Sequence, residues 1–235
     1  MDNLEDSIRL LVQEALKGMN LTPQSDASGP ESGVFNDMGS AVNAAEKAFN
    51  ELSSLTLEIR KQMIVNMRKT AFEHRVTFSK MAHEETGFGR WEDKVIKNEL
   101  AINKTPGVED LESIAYSDDN GLTLVERAPY GIVGSITPST NPTATIICNA
   151  IGMVAAGNSV VFNPHPAAKK VSGYLVNLLN KAIIEAGGPA NLLCCIANPT
   201  IESAKEMMAH PKIALLVVTG GPAVVRTAMN SGKKV

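Results

Sequence analysis

After Tyr130 the chain alternates between short apolar runs and longer stretches in which apolar residues recur at helical spacing. The apolar runs predict buried strands at residues 131–137, 159–163, 192–197 and 213–218. The longer stretches predict helices at residues 141–156, 167–186, 200–209 and 222–231. Because strands alternate with helices, the pattern predicts an α/β fold in which helices cover both faces of a parallel sheet.

Helical patterns dominate the residues before these strands. Predicted helices lie at residues 40–52, 57–85 and 91–104. Asp118-Asp119-Asn120-Gly121 is a turn signal, and residues 122–127 after it alternate as a strand does. The sequence therefore predicts a hairpin at residues 121–131, of which a simple edge hairpin is one interpretation.

The first residues form an amphipathic pattern that a polar stretch separates from the rest. Residues 1–19 place apolar side chains at helical spacing opposite mostly charged ones, which predicts a short helix. Residues 20–37 are rich in Pro, Ser, Gly and Asp, a composition typical of a flexible linker, and residues 38–235 then form the α/β domain. The helix either lies on the surface of this domain or binds a groove of a partner, and the linker favours the second interpretation.

Composition and charge narrow the class of protein. The chain has 235 residues, a hydrophobic content of 44% and a formal net charge of −3 with both signs mixed. It therefore presents no basic field for nucleic acid or for an anionic membrane surface. No apolar run approaches the roughly 18 residues that span a bilayer, and the start lacks the pattern of a secretory signal. We expect a cytoplasmic protein that binds neither nucleic acid nor membrane.

The three cysteines do not indicate chemistry. Cys148, Cys194 and Cys195 are odd in number, lack metal-ligand spacing and fall in apolar helix or strand patterns. We interpret them as small buried side chains, not as disulfide partners, metal ligands or nucleophiles. Three acidic residues on predicted helices are likewise interpreted as solvated; they are Glu84, Glu85 and Glu202.

Three polar turns follow predicted strands, at residues 137–141, 163–166 and 219–222. Parallel strands end at one edge of a sheet, which is where α/β proteins bind ligands. Asn141 is placed to cap the next helix, and its amide can also donate a hydrogen bond to a developing oxyanion. The Gly-Gly turn opens a helix whose free N–H groups can hold a phosphate, although such turns are more often structural. His165 lies between two prolines, which indicates a ligand-contact or turn residue and not a general base.

Several strings of this chain occur in the same order in a known family. They are PSTNPT at 138–143, ETGFG at 85–89, NKTPGVED at 103–110, AGNSVVFNPHP at 156–166 and VTGGP at 218–222. On these strings the chain resembles the aldehyde dehydrogenase superfamily along almost its whole length. The PSTNPT string is similar to the CoA-acylating branch. The resemblance implies a Rossmann-like cofactor-binding domain.

The resemblance also implies an activity and its residues. The activity converts a short aldehyde, acetaldehyde or propionaldehyde, with NAD and with CoA as co-substrate, to acyl-CoA and NADH. The oxyanion donor is Asn141, and no metal is implied. The implied cofactor contacts are Thr137, Pro138, Ser139, Thr140, Asn163, Pro164, His165, Thr219, Gly220 and Gly221. Two of these depart from the family, because hydrolytic relatives usually carry Lys at Asn163 and many members carry Ser at Gly221.

The family's nucleophilic cysteine lies a few dozen residues beyond Val235, and no cysteine of this chain corresponds to it. We therefore expect the N-terminal part of an enzyme, inactive by itself and homo-oligomeric when full length. The hairpin at residues 121–131 resembles a strand that the family uses in contacts between subunits. The alternative is a naturally truncated, non-catalytic protein that binds nucleotide or docks in an assembly. Residues 1–18 resemble the encapsulation peptides of this branch, which implies a shell protein of a bacterial microcompartment as partner.

Overall fold

The computed structural model describes residues 33–235, so the helix predicted at residues 1–19 lies outside the described residues. Only residues 33–37 of the linker predicted at 20–37 are described, and for these the prediction is wrong. Val34–Phe35 form strand β1, which pairs in parallel with Cys195 and Ile196. The N–H of the buried Gly33 donates to Asn191 Oδ1 at 3.0 Å. A two-residue strand has no periodicity to detect, and its pairing partner lies far along the chain.

The described part contains seven strands and seven α-helices. The strands are β1, β2 (Ile114–Asp118), β3 (Gly121–Val125), β4 (Ile132–Thr137), β5 (Ser159–Pro164), β6 (Leu193–Ile196) and β7 (Ile213–Val218). The helices are α1 (Met38–Ser53), α2 (Leu57–Thr86), α3 (Trp91–Lys104), α4 (Pro142–Ala155), α5 (Lys169–Glu185), α6 (Ile201–Ala209) and α7 (Pro222–Met229). Apart from β1 and β2, each element lies within a few residues of a predicted one. The predicted α/β class is confirmed.

The main sheet has five parallel strands in the order β1-β6-β5-β4-β7. From β4 the chain moves through β5 to β6, and it then crosses back so that β7 pairs with the other side of β4. The direction of winding therefore reverses between β4 and β7. In open parallel sheets, ligands bind at the carboxyl ends of the strands beside such a reversal.

Helices cover both faces of this sheet, as predicted. On one face α2, α4 and α5 enclose a core that includes Val160 and Phe162 of β5. On the other face α1, α6 and α7 pack over a second core that includes Ile136 of β4 and Val161 of β5. Every residue of β4 and β5 is buried. Burial on both faces explains why these strands are nearly continuous apolar runs in the sequence.

The predicted hairpin exists but lies earlier in the chain. Strands β2 and β3 pair antiparallel over residues 114–125, and residues 126–130 belong to neither strand. The prediction of residues 121–131 is therefore wrong in its bounds, although it placed the turn correctly. Strand β2 was missed because Ile114, Ala115 and Tyr116 are consecutive apolar residues without alternation. Every residue of both strands is exposed.

Candidate functional site

The three polar turns meet at the carboxyl edge of the sheet. In the turn after β5, the N–H of His165 donates to the carbonyl oxygen of Thr137 at 3.0 Å. In the turn after β7, the N–H of Thr219 donates to the carbonyl oxygen of Ile136 at 3.0 Å. Both bonds end on β4, so they hold three segments that are distant in sequence side by side at the reversal of the sheet.

The last residue of β4 carries a buried polar group without a partner. Thr137 is 1% exposed, and its Oγ1 makes no hydrogen bond within residues 33–235. An unpaired buried hydroxyl costs about 1–3 kcal/mol. In native proteins the partner of such a hydroxyl is usually a water molecule, an ion or a ligand. Pro138 and Ser139 are partly exposed and Thr140 is exposed, so the hydroxyl lies just beneath an open turn.

Asn163 lies near the end of β5 and contacts helix α6. It is buried, and Ser203 Oγ donates to its Oδ1 at 2.6 Å. Ser203 is itself held by a capping box with Thr200 at the start of α6. The amide is therefore fixed with its oxygen towards α6. A neutral amide can bond a ribose hydroxyl, but it cannot act as the point charge that a lysine would provide.

His165 closes the turn that follows β5. Its side chain is exposed, and its Nδ1 accepts the N–H of Ala167 at 3.1 Å at the start of a short 3₁₀ turn. The preceding Pro164 is buried. This geometry agrees with the interpretation of His165 as a turn or contact residue, because its ring nitrogen already has a local backbone partner.

The third turn opens helix α7. Gly221 occupies the cap position and no side chain caps the helix, so its first N–H groups remain available to an anion. A Cβ on Gly220 would lie 2.7 Å from Val224 Cγ1, whereas a Cβ on Gly221 would meet nothing within 4 Å. A side chain at Gly220 would therefore require Val224 to shift, whereas the Ser that many relatives carry at Gly221 would fit here.

Asn141 stands at the cap position of helix α4, but its amide does not cap the helix. The residue has φ −135° and ψ 57°, and its side chain makes no cap hydrogen bond. Lys97 Nζ instead donates to Asn141 Oδ1 at 3.2 Å. Only the carbonyl of Asn141 serves the helix, by accepting the N–H of Thr145 at 3.1 Å. Asn141 therefore occupies the predicted cap position, but its backbone carbonyl serves the helix and its amide does not, because the backbone at Asn141 departs from the extended cap conformation.

Asn141 lies on the wall of a groove between α3 and α4. The groove has a volume of about 610 Å³ and is lined by polar and apolar side chains, among them Lys97, Leu100, Cys148 and Asn149. It is large enough for a small organic molecule. The sequence-predicted oxyanion donor therefore borders an open groove.

Helix α3 contributes residues that the sequence reasoning missed. Lys94 Nζ donates to the Thr140 carbonyl at 3.1 Å, and Thr143 Oγ1 donates to Asn98 Oδ1 at 2.9 Å. Lys94, Lys97 and Asn98 therefore contact the segment around Asn141 from one helix, α3. Their positions 94, 97 and 98 follow the i, i+3, i+4 rule, so the sequence could have shown that they share a face, but not what the face contacts.

The environment of Glu85 also differs from the prediction. It was predicted to lie on a solvated face, yet its two carboxylate oxygens accept the N–H groups of Lys170 and Val171 at 2.7 and 2.8 Å. These N–H groups belong to the start of helix α5. Glu85 therefore caps a different helix from its own, which stabilises the region just after the second turn.

Two of the three cysteines are fully buried, and the third is partly buried against the hydrophobic core. Burial raises the pKa of the Cys195 thiol to about 12 and also raises the pKa of Cys194 strongly, so both stay protonated at neutral pH. Cys148 is only half buried, which corrects the prediction for it. Its Sγ lies 3.2 Å from Thr105 Oγ1 at the groove.

Metal-ion sites and membrane-spanning helices were both sought between Gly33 and Val235. No group of three or more His, Cys, Asp or Glu side chains there is arranged to hold a metal ion. No helix in this part of the chain combines the length and the apolar character needed to cross a bilayer.

Comparison with known proteins places the chain among dehydrogenases. An acetaldehyde dehydrogenase (acetylating) of Bilophila wadsworthia is 47% identical over 238 residues, which cover 97% of this chain and 49% of the relative. A crystal structure of Rhodopseudomonas palustris propionaldehyde dehydrogenase, with bound CoA and an acylated cysteine, has a TM-score of 0.84. It is 50% identical and covers 86% of this chain and 47% of that chain.

A propionaldehyde dehydrogenase from the fucose utilisation bacterial microcompartment of Clostridium phytofermentans is equally similar. It has a TM-score of 0.84 and 50% identity, and it covers 86% of this chain and 46% of that chain. The chain spans about half the length of the curated relatives it matches. The model of the aldehyde dehydrogenase family matches residues 28–235. The chain therefore belongs to the aldehyde dehydrogenase family.

Proposed function

We propose that this chain is the cofactor-binding and oxyanion-stabilising part of a CoA-acylating aldehyde dehydrogenase. The complete enzyme converts acetaldehyde or propionaldehyde, with CoA and NAD, to acyl-CoA and NADH. The observation that carries the proposal is the meeting of three turns at the reversal of the sheet, with an unpartnered Thr137 hydroxyl, an uncapped helix start and the Asn141 amide nearby. The relatives named above support the reaction class.

The groups at this edge fit a dinucleotide by their chemistry. The uncapped start of α7 suits a phosphate, and the neutral amide of Asn163 suits a ribose hydroxyl. The Thr137 hydroxyl gains the partner it lacks when a polar ligand atom lies above it. These residues would hold NAD as the hydride acceptor, and CoA would use an overlapping site. The proposed contacts are Thr137, Pro138, Ser139, Thr140, Asn163, Pro164, His165, Thr219, Gly220 and Gly221.

Asn141 supplies the electrostatic contribution of this chain. A cysteine thiolate from the rest of the enzyme adds to the aldehyde carbon, and the carbonyl oxygen becomes anionic. The Asn141 Nδ2–H and a backbone N–H donate to that oxygen and stabilise the developing charge. Hydride then leaves the same carbon, which gives a thioester on the cysteine. The thiolate of CoA displaces this cysteine, which releases acyl-CoA and restores the enzyme thiolate.

The 235-residue chain alone is proposed to be inactive in aldehyde oxidation. Cys194 and Cys195 are neutral, inaccessible thiols. Cys148 has the Thr105 hydroxyl beside its sulfur, and a hydroxyl is not a base that generates a thiolate. Activity would therefore require the nucleophile from the other half of the enzyme.

The proposed location is the cytoplasm, inside a bacterial microcompartment, with residues 1–18 bound to a shell protein. The relative from a fucose utilisation microcompartment supports this location. Deleting residues 1–18 is expected to release a fused reporter from the shell, whereas unchanged co-localisation would contradict the proposal. Assembly through the β2–β3 hairpin is also proposed, and Leu124→Lys is expected to reduce the oligomer in sedimentation experiments on the complete protein.

The intact mass of the endogenous protein is the first measurement. A mass near twice 25.0 kDa supports the enzyme, whereas a mass near 25.0 kDa supports the alternative of a non-catalytic nucleotide-binding or docking protein. In the complete enzyme, Asn141→Ala is expected to lower kcat by on the order of a hundredfold. The exposed Asn198→Ala is the matched control and should leave kcat unchanged. Full turnover by Asn141→Ala would refute the assignment.

A further inference from the structure

The polar face of helix α3 contacts the turn that carries Asn141 at three successive points. Lys94 Nζ donates to the carbonyl of Thr140, the residue before Asn141, at 3.1 Å. Lys97 Nζ donates to Oδ1 of Asn141 itself at 3.2 Å. Asn98 Oδ1 accepts the hydroxyl of Thr143, two residues later, at 2.9 Å. One helix therefore holds the backbone before Asn141, its side chain, and the first turn of helix α4 after it.

The inner part of this contact is buried and anchored. Lys94 is 6% exposed and Asn98 is 1% exposed. Asn98 Nδ2 also donates to Ser79 Oγ on α2 at 2.8 Å, and Ser79 is fully buried. Burying an ammonium group and an amide between helices is unfavourable compared with apolar packing, unless each finds its partner. The chain nevertheless places both groups where they restrain a single turn.

Lys97 determines which end of the Asn141 amide is free. An ammonium group only donates, so it contacts the amide oxygen and leaves the NH₂ end of Asn141 directed elsewhere. The contact is also charge-assisted, and a cation on the oxygen polarises the amide so that its N–H groups become stronger donors. An amide that caps a helix would have its oxygen bound to backbone N–H groups, but here the amide makes no such bond.

We infer that Lys97, supported by Lys94 and Asn98, is a positioning residue that holds the Asn141 amide with its NH₂ group presented to the aldehyde oxygen in the α3–α4 groove. This inference rests on the proposed oxyanion role of Asn141. Lys97 does not touch the reacting atoms in this scheme. It acts through Asn141, by suppressing the flipped amide that would present an oxygen to an oxyanion.

The test compares three lysine variants. Lys97→Met removes the donor and keeps the length of the side chain, whereas Lys97→Arg retains a cationic donor. Lys104→Met is the matched control, because Lys104 is also exposed on α3 and lines the same groove. Since Lys97 is exposed, all three variants are expected to fold, which thermal unfolding verifies.

The first readout needs no catalysis. In the ¹⁵N-labelled 235-residue chain, the side-chain NH₂ signals of Asn141 are assigned by their loss in Asn141→Asp. Lys97→Met is expected to shift and broaden these signals as the amide begins to flip. Lys97→Arg should keep them sharp, and Lys104→Met should leave them where they are in the unaltered chain. Unchanged Asn141 signals in Lys97→Met would overturn the inference.

The second readout is kinetic and uses the complete enzyme. Lys97→Met is expected to lower kcat by about tenfold with little change in the KM for aldehyde or NAD, because only transition-state stabilisation is lost. Lys97→Arg should restore most of kcat. If Asn141→Ala lowers kcat but Lys97→Met does not, the positioning inference fails alone. If Asn141→Ala also keeps full turnover, the proposed function of Asn141 fails, and the amide signals still report whether Lys97 holds the side chain.

Discussion

Strand β4 and the β2–β3 hairpin both carry runs of apolar residues, yet they end in opposite environments. Every residue of β4 is buried, whereas every residue of β2 and β3 is exposed. The difference comes from their neighbours. Strand β4 lies between β5 and β7 under helices, while β2 and β3 pair only with each other within residues 33–235. An apolar strand pattern therefore predicts that a strand forms, but not what covers it.

The exposed hairpin presents an apolar face that no other described element of the chain covers. Leu122 is 72% exposed and Leu124 is 59% exposed, and they lie on one face because residues two apart in a strand point the same way. Isolated two-stranded hairpins are marginal in water. Apolar patches of this kind typically mark contacts with another protein, in line with the proposed assembly.

The largest expected effect comes from truncating a side chain inside the sheet. Phe162 of β5 is fully buried, so Phe162→Ala is expected to lower the free energy of unfolding by about 3–5 kcal/mol. The matched change in the hairpin, Leu122→Ala, should alter it by less than about 0.5 kcal/mol. Urea denaturation of the 235-residue chain measures both. Equal losses at the two sites would show that the hairpin is covered after all.

An intermediate effect is expected where the hairpin segment joins the sheet. Asn158 Oδ1 accepts the N–H groups of Tyr130 and Gly131 at 2.7 and 3.0 Å, and its Nδ2 donates to the Met153 carbonyl at 3.2 Å. Asn158→Ala leaves the N–H groups of Tyr130 and Gly131 without this partner, while the Met153 carbonyl keeps the backbone N–H of residue 158, and the change is expected to cost about 2–3 kcal/mol. The exposed Asn198→Ala serves as control in the same urea titration. A loss no greater than that of the control would mean that water replaces the amide at this junction.

The smallest expected effect tests how well the sheet excludes water. The folded pKa of Cys195 is about 12 against 9.0 for an unburied thiol. Between these values the unfolded chain loses the thiol proton while the folded chain keeps it, so stability falls as pH rises above about 9. Between pH 8 and pH 10 the thiol is expected to contribute a loss of about 1 kcal/mol. Comparing urea midpoints of the unaltered chain and Cys195→Ala at both pH values isolates this contribution.

The accessibility of the thiols provides a second test of how well the sheet excludes water, because Cys148 is half buried whereas Cys195 is fully buried. Thiol labelling at neutral pH adds an independent check, since only Cys148 of the three cysteines should react in the folded chain. Rapid labelling of Cys195 would mean that water reaches the centre of the sheet.

Most of the fold could be predicted from local pattern, while the candidate site could be predicted only in part. The strands after Tyr130 are short apolar runs, a pattern typical of strands that are buried on both faces. Gly and Pro separate these runs from the helices. The three turns could be assigned to one sheet edge because parallel strands share their direction. Strand β1 could not be predicted, because Val34 and Phe35 form a strand only by pairing with β6.

The sequence by itself determined the α/β class, the order of strands and helices, and the turns in which Asn141, Asn163 and Gly221 lie. These features follow from periodicity and backbone preference, which act between near neighbours in the chain. Only the tertiary structure decided that the Asn141 amide contacts Lys97 instead of capping its helix, and that Glu85 caps α5. Those contacts join segments that are distant in sequence, so their geometry exists only once the helices have packed.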